Sequence, residues 1–133
     1  MSVVDASAVV RLLLGLPFAG AAAEHIFDAR EPATAPDLMN AEVVHTIRRY
    51  EHRGEIDRER ASEAIEDLLA LPVVRYPTLH LIERAWQLRR NFTAYDALYV
   101  ALAEALGAPL VTADGALASA AHEHADVAVV RLQ

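Results

Sequence analysis

Apolar and polar residues follow two different patterns along this chain. Short apolar runs alternate with longer segments in which apolar residues recur every three or four positions. The first pattern is typical of buried β-strands, and the second is typical of amphipathic helices. We predict strands at residues 3–4, 33–35, 72–76, 110–112 and 127–132, and helices at 7–14, 18–30, 37–53, 57–71, 79–90, 93–106 and 115–124.

The order of these elements predicts the architecture. Strands that alternate with helices form parallel sheets whose connections are right-handed crossovers. We therefore expect an α/β fold: a three-layer α/β/α sandwich with a central, mostly parallel sheet of about five strands. A chain of 133 residues has the length of one domain. We expect residues 1–133 to form that single domain.

Composition restricts where the protein works. The absence of cysteine excludes disulfides and thiolate metal sites. The longest apolar stretch, residues 12–23, is interrupted by Gly15, Pro17 and Gly20. It is too short for a bilayer span, which takes roughly 20 residues, and the N-terminus lacks the features of a signal peptide. We expect a cytoplasmic protein without membrane association.

Charge alone argues against nucleic-acid binding. The chain carries 19 acidic and 12 basic residues, for a net charge of −7, whereas nucleic-acid-binding domains usually present a basic patch. However, every basic residue is an arginine and none is a lysine. Arginine binds phosphate through two parallel hydrogen bonds and stays charged when it is partly buried.

Four carboxylates fall where a parallel sheet brings them together. Asp5 and Asp114 each end an apolar run, and Glu42 and Asp96 lie in the opening turns of predicted helices. Ligands of such sheets bind at the carboxyl ends of the strands. Several acids in apolar surroundings are costly without a cation. Oxygen ligands favour Mg²⁺ or Mn²⁺.

Each of these residues also has an ordinary structural interpretation. Asp5 and Asp114 are suitable helix N-caps, and Asp96 follows Thr93 in a sequence that resembles a capping box. Glu42 suits the first turn of a helix because the helix dipole favours an acid there. The hydroxyls of Ser7 and Thr112 are candidate supporting groups for a carboxylate or a metal-bound water. As ordinary structural alternatives, Ser7 would cap a helix and Thr112 would be a hydroxyl on a strand.

Hard cations in such a pocket bind a phosphodiester and generate hydroxide from water. Arginines near the pocket would then contact phosphate, although arginines on a solvated helix face are common. The candidate RNA or partner contacts are Arg48, Arg49, Arg53, Arg89 and Arg90.

The four acids lie in motifs that resemble the PIN-domain family, and most closely its VapC-type toxins. Residues 3–8 read VVDASA and 41–43 read AEV, while 95–103 read YDALYVALA and 110–114 read LVTAD. The resemblance covers nearly the whole chain. It assigns the family's metal ligands to Asp5, Glu42, Asp96 and Asp114.

The resemblance implies more than the residues show by themselves. It implies an endoribonuclease that depends on Mg²⁺ or Mn²⁺, a cytoplasmic location and a homodimer. It also implies that a small cognate antitoxin of the VapB type inhibits the protein by lying over the acidic groove. The RNA that is cleaved, the number of metal ions and the dimer contacts are not specified by these motifs.

The sequence lacks residues that three other classes of α/β protein require. A receiver domain or a haloacid-dehalogenase-type phosphatase needs a lysine, which this chain lacks, and a P-loop is absent. Two alternatives stay open: a PIN nuclease outside toxin–antitoxin systems, including one that acts on DNA, and a non-catalytic PIN-fold module that binds RNA or a partner.

Overall fold

A computed structural model describes all 133 residues. Its centre is a sheet of five strands in the order β3-β2-β1-β4-β5, and every neighbouring pair is parallel. The strands are β1 Ser2–Val4, β2 Ala33–Pro36, β3 Val73–Tyr76, β4 Leu110–Thr112 and β5 Val129–Arg131. The predicted α/β fold with about five mostly parallel strands is confirmed.

Seven α-helices flank the sheet. They are α1 Ala6–Leu14, α2 Ala19–Ile26, α3 Leu38–His52, α4 Arg58–Ala70, α5 Ile82–Gln87, α6 Ala94–Leu106 and α7 Gly115–His124, with a 3₁₀ turn at Leu79–Leu81 before α5. Helices α1 to α4 pack together on one face. Right-handed crossovers place α5 to α7 on the other face. None of these helices could cross a membrane by itself.

Helix α6 is the centre of the core on its face of the sheet. All seven residues from Ala97 to Ala103 are buried, because the helix lies across the middle of the sheet and contacts β1, β2 and β4. The three alanines among them let the helix approach the strands closely. The helix ends at Gly107, whose φ of 60° is the left-handed conformation that glycine adopts without strain.

Two helices are shorter than the hydrophobic pattern predicts. Helix α2 ends at Ile26 rather than at residue 30, because the Asp28 side chain accepts a hydrogen bond from the Arg30 backbone N–H (2.9 Å) and closes a local turn. Helix α5 ends at Gln87 rather than at residue 90. The Leu88 N–H is shared between the carbonyls of residues 84 and 85, which tightens the last turn.

The strand order creates a crevice between β1 and β4. These neighbours pair Val3 with Leu110 and Val4 with Val111, and the chain leaves them toward opposite faces of the sheet. Such a reversal of strand order opens a ligand site beyond the carboxyl ends of the two strands. Asp5 directly follows β1, and Asp114 follows β4 after one intervening residue.

Candidate active site

The four carboxylates line a single cavity of about 290 Å³, which we call the acid cavity. It lies beyond the carboxyl ends of β1 and β4, and helices α1, α3 and α6 form its walls. Its lining consists of Asp5, Ala6, Ser7, Val10, Arg11, Leu16, Glu42, Thr46, Arg49, Tyr50, Asp96, Tyr99 and Asp114. The fold therefore brings together acids that are separated by more than a hundred residues in the sequence.

Asp5 is the buried member of the four. One of its carboxylate oxygens accepts hydrogen bonds from the Ser7 hydroxyl (2.6 Å) and the Ala8 backbone N–H (3.0 Å). The other oxygen accepts from the Thr112 hydroxyl (2.5 Å). Burial raises the pKa of Asp5 to about 6, although these hydrogen bonds pull it down. The nearby charge of Asp114 raises it further.

Two hydroxyls join the ends of β1 and β4. The Ser7 hydroxyl accepts from the Ala113 backbone N–H (2.9 Å), and the Thr112 hydroxyl accepts from the Asp114 backbone N–H (2.9 Å). Each hydroxyl also donates to Asp5. This network holds Asp5 in one orientation, which is the arrangement expected of the groups predicted to support a carboxylate. Their catalytic relevance stays a prediction.

The other acids are more accessible. The Asp114 side chain is exposed and caps α7 by accepting from the backbone N–H groups of Ala116 (2.9 Å) and Leu117 (3.2 Å). Asp96 is half-buried in the first turn of α6. Partial burial raises the pKa of Asp96, and the charges of Asp114 and Glu42 raise it further. The three carboxylates therefore repel one another across the acid cavity.

Two of the cavity's acidic residues also cap helices. Asp5 and Asp114 are true N-caps, and Thr93 caps α6 by accepting from the Asp96 backbone N–H (3.1 Å). The structural interpretation of these acids and the functional one are therefore compatible. Glu42 differs, because it lies beyond the first turn of α3 and caps nothing. Its place in the cavity is not explained by the helix dipole.

Glu42 has a buried partner that the sequence analysis missed. The hydroxyl of Tyr99 donates a hydrogen bond to one carboxylate oxygen of Glu42 (2.6 Å). Tyr99 is only 1% exposed, and its pKa is raised far above its ordinary value by burial and by the negative charge of Glu42. A sequence signal was present, since Tyr99 follows Asp96 by three residues and such residues share one helix face.

Of the five arginines named from the sequence, only Arg49 lines the acid cavity. Arg48 borders a separate hollow between α3 and α4, and Arg53 is the exposed C-cap of α3. Arg89 stacks on the ring of Trp86 at 4.3 Å, and Arg90 is exposed beside it. The cavity instead contains a second arginine, Arg11, which lies four residues after Ser7 on α1.

The donor set suits a hard divalent cation. Asp5, Glu42, Asp96 and Asp114 offer only oxygen atoms, and their mutual repulsion is what a bound cation would relieve. As the side chains stand, no three Asp, Glu or His groups are arranged around one point that could hold an ion. Cation binding therefore requires some of these side chains to turn toward a common centre.

Comparisons with known proteins agree with the motifs. The PIN domain family model matches residues 2–123. Ribonuclease VapC1 of Mycobacterium tuberculosis is 44% identical over 97% of both chains, and Ribonuclease VapC12 of the same organism is 39% identical over 98% of this chain and 99% of its own. The crystal structure of PAE2754 from Pyrobaculum aerophilum superposes with a TM-score of 0.67 at 25% identity, covering 96% of this chain and 81% of that one. The chain therefore belongs to the PIN-domain family, among its VapC-type proteins.

Proposed function

We propose that this protein is an endoribonuclease that depends on Mg²⁺ or Mn²⁺ and acts as the toxin of a toxin–antitoxin pair. The observation that carries the proposal is the convergence of Asp5, Glu42, Asp96 and Asp114 on one open cavity at the sheet's reversal point. The relatives named as ribonucleases cover nearly the whole chain, which supports RNA as the substrate.

The residues of the chain have distinct roles in this proposal. Asp5, held by Ser7 and Thr112, is the fixed ligand, and the other three acids complete the set around it. A bound divalent cation would polarise the phosphodiester and lower the pKa of an attacking water. The exposed position of Asp114 keeps one side of the site open to a long substrate. No protein nucleophile is required.

Family membership and one exposed surface support the proposed partners. We propose a homodimer, a small VapB-like antitoxin and a cytoplasmic location without membrane association. Helix α5 and its preceding turn expose large apolar side chains, with Leu79 76%, Ile82 52% and Trp86 66% exposed. A contiguous exposed apolar surface of this kind is typical of protein–protein contacts.

The proposal is tested with protein purified free of any partner. Structured RNA should be cleaved in the presence of Mn²⁺, and EDTA should stop the cleavage. Expression of the chain alone should arrest growth, and co-expression with its small VapB-like antitoxin should restore growth. A protein that cleaves no RNA with Mn²⁺ would support the non-catalytic module instead. Cleavage without growth arrest would point to a PIN nuclease outside toxin–antitoxin systems.

Tyr99 should act as a positioning residue for Glu42. In the Tyr99→Phe variant the ring still fills its buried site, but Glu42 loses the 2.6 Å hydrogen bond that orients it. We expect the affinity for Mn²⁺, measured by titration calorimetry without RNA, to fall about tenfold, as for other groups that orient metal ligands.

The matched control is Tyr95→Phe. Tyr95 lies one turn earlier on α6, and its side chain is 60% exposed. Its hydroxyl makes no side-chain hydrogen bond, so its removal should leave Mn²⁺ affinity unchanged. Equal affinities in the two variants would show that the Tyr99 hydroxyl does not orient Glu42.

A further inference from the structure

We propose that Arg11 and Arg49 form a phosphate subsite in the acid cavity. Its ligand is a backbone phosphate of the RNA strand, next to or one beyond the phosphate that is cleaved. This inference rests on the proposed function, because it assigns a binding step to the same cavity. It adds Arg11 to the site, and it assigns RNA binding to Arg49 but not to the other arginines of the same helix.

The two arginines belong to different walls of the cavity. Arg11 lies one turn beyond Ser7 on α1, and Arg49 lies two turns beyond Glu42 on α3. At 1.5 Å per residue these steps amount to about 6 Å and about 10 Å along the two helix axes. Helices α1 and α3 pack against each other. On each helix the arginine therefore lies one or two turns beyond Ser7 or Glu42, so that the cavity has basic side chains beside its acidic ones.

The hydrogen-bond donors of both guanidinium groups are unpaired within the protein. Arg84, by contrast, binds both carboxylate oxygens of Glu104 at 2.9 Å and 3.2 Å. Arg11 and Arg49 form no ion pair and no side-chain hydrogen bond, although four carboxylates line the same cavity. Their donors stay free, and a guanidinium with free donors binds phosphate oxygens in pairs.

Arg11 rests on a residue with a strained backbone. Phe18 has a φ of 73°, and it is the only residue other than glycine in the left-handed region. Its ring lies under the Arg11 guanidinium, 6.0 Å from ring centre to the central carbon, although the ring is 43% exposed. Strain of this kind is concentrated at functional sites. A cation–π contact at this distance restricts Arg11 while leaving its donors available.

The test compares Arg11→Gln and Arg49→Gln with two controls, Arg48→Gln and Arg53→Gln. All four changes remove one positive charge, and the control positions lie on or directly after α3 but outside the acid cavity. Each change is made in an Asp96→Asn background, so that the RNA is not consumed. The probe is a fluorescein-labelled single-stranded RNA decamer, whose dissociation constant is measured by anisotropy over a series of salt concentrations in Mn²⁺.

We expect each cavity variant to bind the decamer about tenfold more weakly. The slope of log affinity against log salt should fall by about 0.7 for each lost phosphate contact to a single strand. The control variants should change neither quantity by as much. Circular dichroism and melting temperature verify folding, and Arg11→Lys should recover part of the affinity because it restores the charge.

Three outcomes would overturn the subsite: unchanged binding in both cavity variants, equal losses in the control variants, or a loss that affects an acidic decapeptide more than the RNA. Its failure is distinguishable from failure of the proposed function. Wild-type protein that cleaves RNA while the cavity variants bind normally refutes only the subsite. Wild-type protein that cleaves nothing while the cavity variants lose RNA binding refutes only the nuclease.

Discussion

Replacing Asp96 with asparagine should abolish RNA cleavage and at the same time stabilise the protein. The loss of activity is expected because Asp96 is one of four carboxylates on the acid cavity. A metal site contributes several kcal/mol to transition-state stabilisation. Since each 1.36 kcal/mol changes a rate tenfold, the loss should reach about a thousandfold. The measurement is the initial rate of cleavage in Mn²⁺.

The gain in stability has an electrostatic origin. The pKa of Asp96 is raised by partial burial and by the charges of Asp114 and Glu42, so its ionised form is unfavourable in the metal-free protein. Asparagine has the same shape without the charge, and Thr93 still caps the helix through the backbone N–H of residue 96. The melting temperature in EDTA at pH 7.5 should therefore rise above that of the wild type.

The control for Asp96→Asn is Asp126→Asn, because Asp126 is exposed and lines no cavity near the four acids. It should change neither the rate nor the melting temperature. If the Asp96→Asn protein is unfolded, its loss of activity results from unfolding and not from the missing carboxylate. An Asp96→Asn protein that is folded and as active as the wild type would remove Asp96 from the site.

The sequence predicts those parts of the fold that depend on the pattern of apolar and polar residues along the chain. Alternating strands and helices predicted the parallel sheet, and the position of Asp5 and Asp114 after apolar runs predicted their place at its carboxyl edge. The end of α2 was not predicted by periodicity. It depends on one side chain, Asp28, which competes for a backbone N–H.

The parts of the cavity that were missed depend on packing between helices. Arg11 and Tyr99 are ordinary members of helices α1 and α6 in the sequence. Only the arrangement of α1, α3 and α6 shows that Arg11 borders the cavity and that the Tyr99 hydroxyl reaches Glu42. Helical spacing from a known site residue identifies the residues on the same helix face. It does not identify which of them points into the cavity.

Helix capping also explains why the site forms at this place. Asp5 begins α1 and Asp114 begins α7, so the residues that start two helices also bring negative charge to the crevice. Both aspartates accept hydrogen bonds from backbone N–H groups at the helix starts, and these hydrogen bonds partly compensate the negative charge. Folding therefore assembles an acidic pocket, and a bound cation would relieve the uncompensated part of the repulsion.

The burial of Asp5 should appear as an unusual dependence of stability on pH. The pKa of Asp5 is about 6 in the folded protein and 3.8 as an ordinary aspartate. A raised pKa means that the folded state binds the proton more tightly, so the contribution of Asp5 is complete below about pH 4 and is lost as the pH rises through 6. The whole effect amounts to about 3 kcal/mol of the free energy of unfolding.

Between pH 7.5 and pH 5 the metal-free protein should therefore become more stable by about 1.4 kcal/mol through Asp5 alone, which corresponds to a rise of about 4 °C in melting temperature. Asp96, whose pKa is also raised, acts in the same direction. The measurement is a series of thermal melts in EDTA. The Asp5→Asn variant isolates the effect, because the other titrating groups remain and their contribution can be subtracted.

Mn²⁺ should replace the proton. At pH 7.5 a concentration a hundred times the dissociation constant stabilises the folded state by about 2.7 kcal/mol, and at pH 5 the gain should be smaller because protons compete for the same carboxylates. Asp5→Asn should lose most of the gain, and Asp126→Asn should keep it. If wild type and Asp5→Asn show the same pH profile and the same response to Mn²⁺, the burial of Asp5 is not what ties cation binding to stability.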